Sequence, residues 1–207
     1  NDLDFGPSDV HGDSGPMKLR RIPEKDWSPF SKATANVLEK QGQTNIRDHN
    51  GCWDDGYFPM TTNNVDGKRI STARAYLTNE VRNRPNLTVL GSTDMRKILF
   101  EGNRACGVEV AGPSGERTLH AKEIILSAGA LQSPAMLMRA GIGPAEHLKE
   151  LGIPVRADRP GTGQNLQDHP MVALAAYLPK AARLPSTMRR HIQMGYRYSS
   201  GVPRTTD

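Results

Sequence analysis

Between Glu123 and Pro170 the chain sets out an order of elements that sharply restricts its fold. A short aliphatic run, Ile124-Ile125-Leu126, stops abruptly at Ser127-Ala128-Gly129-Ala130 and gives way to a helical stretch. Three consecutive aliphatics suit a strand buried on both faces, as in a parallel α/β sheet. The four small residues let another backbone or a flat ligand approach closely, because almost no side chain stands in the way. Ser133-Pro134 predicts the helix start, with Ser as N-cap and Pro at the first helical position. Met136, Leu137 and Met138 give this helix its apolar residues, and Gly141-Ile142-Gly143-Pro144 ends it. A second short helix over 144–151, an extended Ile153-Pro154-Val155 and a polar loop from Gly161 to Pro170 follow.

The segment leading into the small-residue turn reads as an antiparallel meander. Strands are predicted over 86–90, 95–101, 105–111 and 117–121, with turns at Glu101-Gly102-Asn103-Arg104 and Gly112-Pro113-Ser114-Gly115. Met95, taken alone, is a strand residue packing into the core. Residues 1–16 are Gly-, Pro-, Asp- and Ser-rich loop, and Met17–Ile22 alternates as a half-exposed strand should. Ser28-Pro29 predicts a capped helix with Phe30, Ala33, Val37 and Leu38 on its inner face and Gly42 as its stop. Thr44 to Arg69 reads as a long loop with turns, in which Trp53, Tyr57 and Phe58 either line a pocket or pin the loop; pinning is the simpler reading. Ser71 or Thr72 caps a helix to about Asn83, stopped by Arg84-Pro85. Beyond Pro170, 172–178 reads as a strand and Arg183 to Ser200 as an amphipathic helix with Met188, Ile192 and Tyr196 four apart. The fold class is therefore mixed α/β.

Gly129-Ala130-Leu131-Gln132-Ser133-Pro134-Ala135-Met136-Leu137-Met138-Arg139-Ala140-Gly141-Ile142-Gly143 resembles the second signature of the glucose-methanol-choline (GMC) flavoprotein oxidoreductases, with Ala140 where that pattern has Ser. Gly161-Thr162-Gly163-Gln164-Asn165-Leu166-Gln167-Asp168-His169 is similar to that family's next recurrent segment. His11-Gly12-Asp13-Ser14-Gly15-Pro16, Asp48-His49-Asn50-Gly51, Gly56-Tyr57-Phe58 and Gly67 to Leu77 resemble further segments of its choline-dehydrogenase-like members. The resemblance implies part of a Rossmann-type FAD-binding domain plus part of a sheet-based substrate domain. On that frame residues 1–84 are substrate domain with connecting loops, 85–170 are FAD domain, and 171–207 return to the substrate domain. It also implies FAD contacts at Met95, through the backbone and where Val is common in the family, and at Ser127, Ala128, Gly129 and Ala130. The activity implied is alcohol oxidation, a hydride passing from the alcohol carbon to flavin N5. The partners implied are a small-molecule alcohol and an electron acceptor, either oxygen or a quinone.

Two parts of such an enzyme are missing from the sequence. No Gly-x-Gly-x-x-Gly follows an opening strand to hold a pyrophosphate. The family's catalytic His and its partner are expected beyond Asp207, so no catalytic residue is assigned here. The chain opens at Asn1 in what reads as mid-loop, and the expectation is an internal piece of a longer protein, inactive alone. His169, between Asp168 and Pro170, is the most tempting general base, but the resemblance assigns its loop a structural role. No two of the 6 histidines share metal-ligand spacing, and no metal site is expected. Cys52 and Cys106 read as free, half-buried thiols. A net charge of +5 admits an anionic partner, but the basic residues are dispersed and no nucleic-acid motif accompanies them. No apolar run is long enough to span a bilayer, which suggests a cytoplasmic location, free or peripheral to a membrane. Two other classes stay open: an NAD-binding α/β enzyme, whose glycine fingerprint and acidic ribose ligand are absent, and a non-catalytic binding or scaffold protein on the same frame.

Overall fold

The computed structural model describes residues 1–184, 186 and 192–200. The chain forms two compact units: Asn1–Leu87 together with the segment from Leu174, and Thr88–Ala173.

In the first unit, β1 (Arg20–Arg21) pairs with a later strand, and Ile22 beside it is 2% exposed. Helix α1 (Pro29–Lys40) is capped by Ser28, whose hydroxyl accepts from the Ser31 N–H at 3.1 Å. Its inner face runs through Ser31, Thr34, Ala35 and Leu38. Phe30 and Val37, expected inside, are 49% and 53% exposed. The correction follows from the docking partner: Trp27, Tyr57 and Ile22 pack on the Ala35 side, where a small residue permits close approach. Gly42 ends the helix with φ +81°, as its position predicts.

The 44–69 stretch is not simply a loop. It holds β2 (Gly56–Pro59), β3 (Thr61–Thr62), β4 (Asn64–Val65) and β5 (Lys68–Arg69). β3 pairs with β1, and β4 with β5 through Asp66-Gly67, whose φ values of +51° and +71° suit a tight hairpin turn. Tyr57 and Phe58 are buried and do pin this segment, whereas Trp53 is 78% exposed. The single helix expected over 72–83 is two: α2 (Thr72–Tyr76), capped by Ser71, and α3 (Asn79–Arg82), capped by Thr78. Thr78 turns its hydroxyl to the Val81 N–H at 3.3 Å and so starts a new helix where propensity alone would continue the old one.

The second unit is built on a meander of β6 (Asp94–Glu101), β7 (Arg104–Gly112) and β8 (Gly115–His120), in that spatial order and antiparallel throughout. Ile98 and Val110 are its buried hydrophobic residues. The 86–90 segment, expected as a strand, joins no ladder. Helix α4 (Gly129–Arg139) leads through β9 (Ile142–Gly143) to α5 (Ala145–Glu150), and β10 (Ala157–Asp158) pairs parallel with β9. Leu148 of α5 is fully buried.

Three strand expectations fail for one reason. Residues 124–126, 86–90 and 172–178 have strand composition, yet among the described residues none finds a ladder partner. Ile125 is 80% exposed and Leu174 93% exposed. A strand is defined by the N–H and C=O groups of a neighbour, which apolar composition does not supply.

Back in the first unit, β11 (Met194–Arg197) pairs antiparallel with β2, Gly195 opposite Phe58 and Tyr196 opposite Tyr57. The helix expected over Arg183–Ser200 falls partly on 185 and 187–191, outside the described residues; its end is this strand. Gln193 ties the return to α1, its Oε1 accepting from the Ser28 N–H at 2.7 Å and the Ser31 hydroxyl at 3.0 Å. Cys52 and Cys106 are free and half-buried.

Candidate functional site

The small-residue turn is where the sequence places its ligand contacts. Helix α4 starts five residues earlier than Ser133-Pro134 predicts, at Gly129 instead of Pro134. Ser133 is not the N-cap; it sits inside the first turns and its hydroxyl reaches back to accept from the Ala128 N–H at 2.9 Å. This fastens the turn from within the helix, as a capping box does from its third position. Pro134, also inside the helix, has no N–H and so leaves the Ala130 carbonyl without its i+4 donor. Gly129 has φ +86°, a left-handed conformation, so glycine is required there for backbone reasons. A Cβ built on Gly129 meets nothing within 4 Å. Ser127, Ala128, Gly129 and Ala130 are all exposed at the start of an 11-residue helix, whose first N–H groups have no partner within the helix. A flat, partly anionic ligand has both the room and the donors it needs at such a turn.

Met95 lies half-buried near the start of β6, opposite Val110, with a register shift between it and Lys97. The far end of α4 shares a groove with β6. There Arg139 and Ala140 border a groove of about 410 Å³ with Lys97, Ile98 and Phe100. None of the five predicted contact residues lines that groove.

His169 is exposed, and the Asp168 carboxylate accepts from the His169 backbone N–H at 2.8 Å. The carboxylate thus serves the loop's own backbone. Among the described residues no group of His, Cys, Asp and Glu is arranged to hold a metal ion. No helix among them is long and apolar enough to cross a membrane.

The first unit contains a polar cluster that sequence reading did not single out. Arg21 is 5% exposed, and its guanidinium bridges both oxygens of Asp2 (2.8 and 2.9 Å) and Asp48 (2.6 Å). His11 spans the same two carboxylates, Nδ1 lying 3.2 Å from Asp2 and Nε2 bonding Asp48. Phe5 covers the guanidinium at 4.2 Å and stacks on His11. The cluster therefore fastens the His11–Pro16 segment to the Asp48–Gly51 segment. Burial alone would raise Asp2, but hydrogen bonds from Arg21 and from the Asp4 and Phe5 N–H groups outweigh it and hold it below its ordinary value. Asp48 is likewise lowered: burial opposes, and the bonds from His11 and Arg21 prevail. No short-range signal marks this cluster, because the carboxylates that pair with Arg21 stand 19 and 27 residues from it in the chain; a buried arginine requires such partners wherever they come from.

His49 stacks on Phe58 at 4.4 Å, and its Nδ1 is buried without a partner. Its pKa is lowered by burial and by the charges of Arg21 and Arg197. A depressed folded-state pKa contributes stability that is present above the unfolded value and lost as pH falls through the folded one. Unfolding temperature is thus expected to decline below about pH 6.5 through His49, and again below about pH 4 as Asp2 and Asp48 protonate. The His49 share is isolated by His49→Phe, whose decline between about pH 7 and pH 5 should be shallower than that of the unsubstituted protein. Equal slopes would remove His49 from the account.

In the second unit an antiparallel meander leads to a small-residue turn at a helix N-terminus, within a mixed α/β chain. The chain belongs to the GMC oxidoreductases, whose sequence pattern matches residues 14–171. These are FAD-binding flavoproteins, and the mixed α/β architecture here is theirs, built with a Rossmann-type FAD-binding domain. The chain is 44% identical to 5-(hydroxymethyl)furfural oxidase from Methylovorus sp. (strain MP688), over 99% of this chain and 39% of that protein. It is 39% identical to oxygen-dependent choline dehydrogenase from Pseudomonas putida, over 89% of this chain and 32% of that one. Among solved structures, pyridoxine 4-oxidase from Mesorbium loti superposes with a TM-score of 0.67 at 38% identity, covering 73% of this chain and 30% of the other. The chain thus spans less than two-fifths of the length of the relatives it matches.

Proposed function

We propose that this chain is part of an FAD-dependent oxidoreductase acting on the CH–OH group of a small alcohol. The observation that carries the reading is the turn at Gly129: left-handed, exposed, and open where a side chain would stand, in a chain of this family. FAD, when bound, supplies the hydride acceptor. The chain's own part is to hold the adenosine half, with the Met95 backbone on one side and Ser127, Ala128, Gly129 and Ala130 on the other. Ser133 keeps that turn in shape through the Ala128 N–H. In this reading residues 1–84 and 171–207 belong to the substrate domain and 85–170 to the FAD domain; the division into units near Leu87 and Leu174 supports it. The Arg21 cluster then positions substrate-domain segments. The base that removes the hydroxyl proton lies outside these residues, the electron acceptor is oxygen or a quinone, and the location is cytoplasmic, free or membrane-peripheral.

The reading is tested on the intact polypeptide that carries this chain. It should release FAD on denaturation and reduce a dye with one of choline, simple primary alcohols or aromatic alcohols. Residues 1–207 alone, supplied with FAD, should show no turnover, since misplacing flavin, substrate and base costs orders of magnitude in rate. His169→Ala in the intact protein should leave turnover within about twofold, whereas loss of a general base typically removes a factor of 10² or more. Ordinary turnover by residues 1–207, abolished by His169→Ala, would make His169 the base and overturn the assignment.

A further inference from the structure

The groove at the C-terminal end of α4 takes no part in the proposed flavin contacts, and its chemistry is one-sided. Lys97, Arg139 and Arg156 border it together with Asn103, while Ile98, Ile153 and Val155 give it apolar surface. No carboxylate lines it. Among the described ion pairs none involves Lys97, Arg139 or Arg156. The sequence holds 22 acidic residues against 27 basic ones, yet only basic ones border this hollow.

Local structure holds Arg156 in place. Arg156 lies with its guanidinium 4.2 Å over the Phe100 ring and donates from one terminal nitrogen to the Gly102 carbonyl at 2.8 Å. That fixes the plane of the fork and leaves further donors for a ligand. Its backbone N–H bonds the Gly141 carbonyl at 2.8 Å, and a Cβ on Gly141 would collide with the Pro154 carbonyl oxygen, so this wall is packed backbone. Lys97 follows the register shift in β6. Such irregularities re-aim side chains, and the cross-strand partner of Lys97, Glu109, borders a separate hollow with Arg96 and Arg117.

We infer that this groove binds a small organic oxyanion, a phosphate or carboxylate carried on an apolar body. The cations repel one another while it is empty, an oxyanion satisfies them together, and guanidinium forks match both oxyanions in a bidentate manner. The apolar lining favours an organic ligand over a bare ion. The inference stands on the groove alone and does not rest on the flavin reading.

Calorimetric titration of the intact protein, flavin in place, with phenyl phosphate, benzoate and inorganic phosphate tests it. Phenyl phosphate or benzoate should bind more tightly than inorganic phosphate, weaken as potassium chloride is added, and leave the flavin spectrum unchanged. Binding of only one of the two organic probes identifies the oxyanion. Arg156→Gln should weaken binding roughly fivefold, as expected for loss of one exposed charge contact. That change also disturbs the Phe100 contact, so the deciding variant is Lys97→Gln with Arg139→Gln, two exposed side chains; it should weaken binding roughly tenfold or more. Failure of both organic probes to bind, or unchanged affinity in the double variant, overturns the inference.

Discussion

Replacing Gly129 by valine in the intact protein is expected to lower the flavin bound per polypeptide about tenfold or more. Two effects act together. The residue sits at φ +86°, where a β-branched side chain is strained by about 1–3 kcal/mol. Its branches would also occupy the space that now holds no atom within 4 Å of the built Cβ. Gly129→Ala separates the two, since alanine shares most of the strain but fills little of the space. Retention of more flavin in the alanine variant than in the valine variant means that close approach matters. Unchanged flavin absorbance per polypeptide in the valine variant would refute the placement of FAD at this turn.

Arg21→Met should destabilise the first unit by about 3–5 kcal/mol, the range found when one partner of a buried charge network is removed. The methionine fills similar volume, so the loss is electrostatic: Asp2, 2% exposed in its side chain, and Asp48, 20% exposed, keep their carboxylates with only His11 between them. Urea unfolding followed through Trp27, which is buried against Ile22 and Ala35, reads this unit directly. Adding Asp2→Asn should restore part of the stability, because it removes one of the two stranded charges. A loss below about 1 kcal/mol would mean that the cluster is no more than a surface ion pair.

The meander was legible because its information is local. Gly102 and Gly115 adopt positive φ at turns flanked by alternating strands, and the ladder forms between neighbours in sequence. The N-cap at Ser28 was legible for the same reason, and the second cap was narrowed to Ser71 or Thr72, of which Ser71 bonds the N–H three residues on. The start of α4 was misread because Ser133-Pro134 looks like a cap and a first turn. The hydroxyl instead bonds backward, and the left-handed Gly129 begins the helix. The inner face of α1 was misread because Phe30 and Val37 are the more apolar residues, yet Trp27 and Tyr57 dock on Ala35.

By itself the sequence determined the family, the mixed α/β class, the meander, and the small-residue turn at which flavin contacts are proposed. Each rests on residue types at short spacing, where turn chemistry, capping and steric openness act within a few bonds. Only the tertiary structure decided that β2 pairs with β11 some 140 residues away, and that Arg21, Asp2, His11 and Asp48 form one buried cluster. It alone gathered three cations around the groove beside α4. Those arrangements depend on which backbone edges find each other and which charges are buried together. Both are set by long-range packing, and neither leaves a mark at short sequence spacing.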